Sequence, residues 1–145
     1  MQPVIFTMEQ ANAMIPVLSA MLRDIFSLNG RIKALAKDIE DLVEIWGKEV
    51  FEKGNRDHTL YIERSQKREE VFRELQGKIN TIQAYGCFVK NIEHGLVDFL
   101  YECGGEYVHL CWKYGEPEIK FWHSMKEGFV GRRPISELLA ISNKQ

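Results

Sequence analysis

Asp98, His109, Cys111 and His123 crowd one stretch, "LVDFLYECGGEYVHLCWKYGEPEIKFWH", residues 96–123. A carboxylate, an imidazole and a thiolate can together ligate zinc or iron, and three protein ligands leave a position open to water. The glycine pair at 104–105 brings three of these groups together. A two-residue turn there pairs Cys103 with Glu106, so Asp98 stands opposite Cys111 and His109 lies two residues along the same face. No CxxC or HxxxH spacing accompanies Asp98, His109 and Cys111. The simpler expectation for them is therefore a polar strand face, and no cofactor is favoured.

A second group lies further along. A turn at Gly115-Glu116 pairs Leu110 with Phe121 and Trp112 with Ile119, which places His123 at the end of the apolar face, away from Asp98. A histidine there is expected to be a core residue holding one hydrogen bond. If the sheet ends in a cleft, Glu116 or Asp98 and Arg132 of "GFVGRRP" could join His123 there, which makes Glu116, Trp122, His123 and Arg132 candidate ligand-binding residues, with the arginine fork suited to an anion. The plainer role for Arg132 is a salt bridge to Glu116 that pins the tail. Trp122, on the polar face, needs cover from the tail, a ligand or another subunit. No nucleophile–base pair, phosphate loop or dinucleotide fingerprint is present, so the residues leave catalysis open.

These residues need a sheet to hold them. "CFVKNI" (87–92), "LVDFLY" (96–101), "YVHLCWK" (107–113) and "EIKFWH" (118–123) are strand-length and rich in β-branched and aromatic residues. Short glycine-marked connections between them demand antiparallel neighbours. The turns assign Val97, Phe99, Tyr101, Val108, Leu110, Trp112, Ile119, Phe121 and His123 to one face, which should lie against the helices. The other face collects Asp98, His109, Cys111 and Trp122. Around "EHG" two registers fit equally. In the tail, Pro134 is placed to open a short helix carrying Ile135, Leu138, Leu139 and Ile141.

Before the sheet, Thr7 and Gln10 form a capping box, and Pro16 predicts a kink or restart. From there the series Leu18, Met21, Ile25, Leu28, Ile32, Leu35, Ile39, Leu42, Trp46 steps by threes and fours, the mark of a coiled-coil seam. "EKGNRDHT" is the hairpin loop, and a second helix covers 58–83 with its seam at Phe72, Leu75, Ile79 and Ile82. Near the loop that seam degrades to Tyr61, Ser65 and Arg68. Leu42 and Trp46 opposite them would be undercovered, which predicts an oligomer contact, a homo-oligomer or a protein partner.

Bulk properties exclude more than they assign. The chain has 145 residues, enough for one domain with a core, and a net charge of −2. Residues 1–85 carry 12 Lys/Arg against 13 Asp/Glu and residues 86–145 carry 7 against 8, so neither part has the field that nucleic acid or an anionic membrane needs. No run of about eighteen purely apolar residues occurs, and the start lacks a basic leader, so neither a membrane span nor a signal peptide is expected. Cys87, Cys103 and Cys111 are an odd set without a disulfide pattern, which predicts reduced thiols in a cytoplasm.

"FTMEQANAMIPVL", "GLVDF", "LCWKYGEPEIKFWH" and "GFVGRRP" together resemble domain-of-unknown-function family 2203, over almost the whole chain. Leu100 stands where that family usually has proline after the "DF" pair. The resemblance implies a bacterial cytoplasmic origin and supplies no activity. The expected fold is α+β: a long antiparallel helical hairpin (7–84), a four-stranded antiparallel meander (86–123), and a loop with a short C-terminal helix (124–145), all in one domain. The expected role is a non-catalytic oligomeric or partner-binding module. The alternative is a small-ligand, anion or metal site around Asp98, His109, Cys111, Glu116, His123 and Arg132.

Overall fold

A computed structural model describes residues 4–143 of the chain. Lys144 and Gln145, the end of the expected terminal segment, lie outside the described residues. The fold is α+β. Helix α1 (Met8–Trp46) runs into a 3-10 turn (Gly47–Phe51), and α2 (His58–Ala84) follows. Strands β1 (Phe88–Asn91), β2 (Leu96–Cys103), β3 (Glu106–Lys113), β4 (Phe121–Ser124) and β5 (Arg133–Pro134) form one antiparallel sheet in the order 1-2-3-4-5, and α3 (Ile135–Asn143) closes the chain.

The capping box forms as expected. Thr7 N–H donates to Gln10 Oε1 at 2.9 Å and Gln10 N–H to Thr7 Oγ1 at 3.1 Å, satisfying two orphan donors of the first turn. Pro16 lies inside α1, which continues through it as one helix rather than restarting. Gly47 ends the α-helix with φ +61°, a left-handed conformation that costs glycine nothing.

Asp24–Lys78 is a compact unit of helical hairpin. Along α1, the seam residues Ile25, Leu28, Leu35 and Leu42 are buried, while Ile32, Ile39 and Trp46 are half-buried. On α2 the apolar stripe is shifted by one residue: Val71 is buried and Phe72, expected in the seam, is 55% exposed. Val71 and Leu75 fall four apart, so they share a helix face as well as the expected pair did. Ion pairs between Arg64 and Asp38 (3.9 Å) and between Lys78 and Asp24 (3.5 Å) tie the antiparallel helices at their surface.

Met1–Arg23 with Ile79–Gln145 makes the second compact unit. Its core gathers Ala11, Ile15, Leu18 and Leu22 of α1 with the fully buried Phe99, Leu110 and Trp112 of the sheet. Phe6 packs edge-on against Phe99 with ring centroids 5.1 Å apart. An 18-residue window of the helix Met8–Phe51 reaches a mean hydropathy of 1.2, and Ala11, Ile15, Leu18, Leu22 and Ile25 of that helix are buried.

The sheet corrects the expected register in one place. β2 and β3 pair as the glycine turn requires, with Asp98 opposite Cys111 and Phe99 opposite Leu110. Around "EHG", Phe88 faces Asp98 and Val89 faces Val97, with a register shift before Asn91. Between β3 and β4, however, Leu110 faces Trp122, Cys111 faces Phe121, and His109 faces His123. That is one residue away from the pairing a Gly115-Glu116 two-residue turn would impose, and a one-residue slip moves every side chain of a strand to the other face.

The cause is a wide loop. Residues 114–120 leave the ladder because their polar groups find other partners. Trp112 Nε1 donates to the Glu116 carbonyl at 2.8 Å, Lys113 N–H donates to Glu116 Oε1 at 2.6 Å, and Ile119 N–H donates to Asn12 Oδ1 at 2.7 Å. Pro117 has no N–H to offer a ladder. Strand β4 thus begins at Phe121 rather than 118, and the tail adds a fifth strand, Arg133–Pro134, along its edge. Pro134 stands on that edge strand, where its missing N–H is tolerated, and the helix starts one residue later.

Candidate functional site

The slip in β4 assembles the site. With Cys111 opposite both Asp98 and Phe121, and His109 opposite His123, the alternation of the strands turns Asp98, His109, Cys111 and His123 to one face. His123 was expected on the apolar face; it is here beside Asp98. Trp122, expected on the polar face, lies instead with Leu110, buried, and the Arg133 guanidinium covers its ring at 5.2 Å. Phe121 likewise changes sides, joining Cys111.

Asp98 is the centre of the cluster. Its Oδ2 lies 2.8 Å from His123 Nε2 and 3.5 Å from His109 Nδ1. All three side chains are buried: Asp98 is 2% exposed, His109 6% and His123 2%. His123 Nδ1 sits 2.9 Å from the Ser124 carbonyl, which can only accept, so Nδ1 carries a proton. In the neutral ring Nε2 is then an acceptor, and it faces a carboxylate oxygen, another acceptor. The pair stands at hydrogen-bond distance, 2.8 Å, closer than two ligands of one tetrahedral ion. Asp98 Oδ1 and His109 Nε2 have no partner among the described residues, although burial makes such atoms costly to leave unpaired.

Cys111 Sγ completes a group in which the ligand atoms of Asp98, Cys111 and His123 all lie within 4.8 Å of one another. A tetrahedral ion with bonds of about 2.0–2.3 Å holds its ligands roughly 3.3–3.7 Å apart, within reach of this cluster by small side-chain rotations. Burial pushes the Cys111 thiol up to about 11; Asp98 adds to this, and Arg132 opposes it. Burial lowers the His109 pKa, partly offset by Asp98, while His123 and Lys90 push the same way as burial, so its ring is neutral at pH 7. A neutral imidazole is the form that binds metal.

Arg132 returns from the tail to this face and forms the salt bridge expected of it. Its Nη2 donates to Glu116 Oε1 at 2.6 Å and to the Cys111 carbonyl at 3.1 Å, and its Nε donates to Cys111 Sγ at 3.3 Å. The guanidinium also stacks on Phe121 at 4.2 Å and on Phe129 at 4.9 Å. Through Nε and Nη2, Arg132 ties Glu116 to the backbone and thiol of Cys111. Of the expected ligand-binding quartet, His123 meets the cluster through Asp98 and Arg132 through Cys111 Sγ.

A cavity of about 140 Å³ opens onto Asp98, His109, Cys111 and His123, with Lys90 and Phe129 among its walls. Leu42 and Trp46, the expected oligomer contact, lie far along the sequence in the helical hairpin. There Leu42 is buried at 7% exposure, and Trp46 Nε1 donates to Asp57 Oδ2 at 2.8 Å. The poor match of Ser65 and Arg68 therefore leaves Leu42 covered after all.

Sequence reasoning put His123 and Asp98 on opposite faces and let them meet only through a cleft at the sheet's end. The signal was Pro117: a residue without an N–H, three positions after Tyr114, argues for a wider loop and a later strand.

Fold and site together define an α+β protein with a long helical hairpin and a buried carboxylate–thiol–imidazole cluster on one face of a small meander. A family model described as Uncharacterized conserved protein (DUF2203) matches residues 4–135, and the chain belongs to that family. No curated protein and no solved structure matches it.

Proposed function

We propose that this protein binds one first-row transition ion, zinc or ferrous iron, through Asp98, Cys111 and His123, with His109 alongside. The carrying observation is His123 itself. Its Nδ1–H is committed to the Ser124 carbonyl, the usual way a metal-ligating histidine is oriented, and this aims Nε2 at Asp98 Oδ2 2.8 Å away. Mixed oxygen, nitrogen and sulfur donors suit zinc or iron better than magnesium or calcium.

The same geometry disfavours a Cys–His–Asp hydrolase. In such a triad one ring nitrogen faces the nucleophile and the other faces the carboxylate. Here the two nitrogens face Asp98 and a backbone carbonyl, so none remains for Cys111 Sγ. Elemental analysis of protein purified without a histidine tag should give about one zinc or iron per chain. Absence of stoichiometric metal, in protein that also fails to take up cobalt, would end this reading and leave Asp98 and His123 as a hydrogen-bonded pair.

A second reading, self-association of the helical hairpin, rests on its exposed apolar side chains, Ile45 at 70% and Phe72 at 55%. Light scattering should then give more than one chain's mass, and Phe72→Lys should return it to one. A single chain's mass at every concentration tested would remove this reading.

A further inference from the structure

Building on the metal centre proposed above, we infer that its open position takes a small carboxylate with a short apolar tail. Three protein ligands leave at least one position of a tetrahedral ion unfilled. The cavity of about 140 Å³ meets the cluster at Asp98, Cys111 and His123, so an exogenous ligand reaches the ion from there. A cavity of that volume is small for a ligand site and suits a compact ligand such as a short-chain acid.

Charge selects the sign of that ligand. A divalent ion is balanced by the Asp98 carboxylate and the Cys111 thiolate. Two further charged side chains line the cavity, Lys90 and Glu127. Glu127 Oε1 already accepts from Ser124 Oγ at 2.9 Å and Arg133 Nη2 at 3.0 Å, so its charge is met. The Lys90 ammonium sits 5.5 Å from the Phe88 ring centroid and has no carboxylate partner among the described residues. The pocket thus keeps one positive charge, which an anion on the ion would satisfy. Leu96, Met125 and Phe129 line the rest, an apolar wall that rewards a hydrocarbon tail over a second charge.

The test uses the full chain loaded with cobalt(II), whose visible bands report a change of ligand. Acetate, butyrate and inorganic phosphate are titrated separately. The inference expects acetate and butyrate to shift the bands, with butyrate the tighter. It also expects Lys90→Gln to weaken both by about fivefold, the scale of one partly exposed charge pair, at unchanged cobalt content. Phe129→Ala should narrow the gap between butyrate and acetate. If cobalt binds but no carboxylate shifts the bands, the inference is overturned and the metal centre stands. If phosphate binds as tightly as butyrate and neither substitution matters, the carboxylate class is overturned. Failure to load cobalt removes the metal centre, and this inference with it.

Discussion

His123→Gln should strip the protein of metal while leaving it folded, and Asp98→Asn and Cys111→Ser should do the same. Each removes one of three donors whose ligand atoms lie within 4.8 Å of one another, and two donors cannot hold a small ion against water. The expected loss of affinity exceeds the ~10–100-fold typical of removing an outer partner. Cys87→Ser is the control. That thiol is also buried, and burial pushes it up to about 12, but it belongs to no such cluster among the described residues. Its loss should leave metal content unchanged. Binding should also strengthen as pH rises, by about tenfold per unit, because the ion must displace the proton of a thiol held at about 11. The sign follows from competition: fewer protons leave more sites open to metal. Equal metal content in His123→Gln and the parent would contradict the assignment of Nε2 as a ligand.

Trp112→Ala should be the most destabilising single change in the sheet, by about 3–5 kcal/mol for a large aromatic lost from a core. Trp112 is 0% exposed. Its indole N–H also donates to the Glu116 carbonyl at 2.8 Å, so the substitution unfastens the 114–120 loop. That loop sets where β4 begins. Metal affinity should therefore fall in Trp112→Ala, although Trp112 faces away from Asp98. Trp112→Phe keeps much of the volume and loses the hydrogen bond, so its cost should be smaller, about 1–3 kcal/mol plus the loss of packing. Denaturant titration measures both. A loss below about 1 kcal/mol for the alanine variant would mean the site has no dependence on this anchor.

Much of the architecture could be read from local pattern alone. The Thr7–Gln10 capping box, the three-and-four spacing from Leu18 to Trp46, and the glycine pair after Cys103 each specify geometry within a few residues. The structure follows the capping box and the glycine turn, and it forms the helix that the spacing called for. Asp98 opposite Cys111 was legible for the same reason, since a two-residue turn leaves the register no freedom. The α2 stripe was less legible. Val71 and Phe72 are adjacent apolar residues, and only packing against a neighbour chooses between them.

The meeting of His123 with Asp98 was decided by tertiary structure. Local spacing allows β4 to start at 118 or at 121, and the shorter turn favours the first. The longer loop prevails because groups distant in sequence satisfy it. Asn12 of α1 takes the Ile119 N–H, and Arg132 of the tail holds Glu116, whose carboxylate in turn takes the Lys113 N–H. Backbone donors must find partners, and Asn12 supplies one for the loop from outside the hairpin. One residue of register then carries His123 across the sheet, because side chains alternate with a period of two. By itself the sequence determined the elements, the β2–β3 pairing and the residues fit for chemistry. Only the tertiary structure decided which of those residues meet.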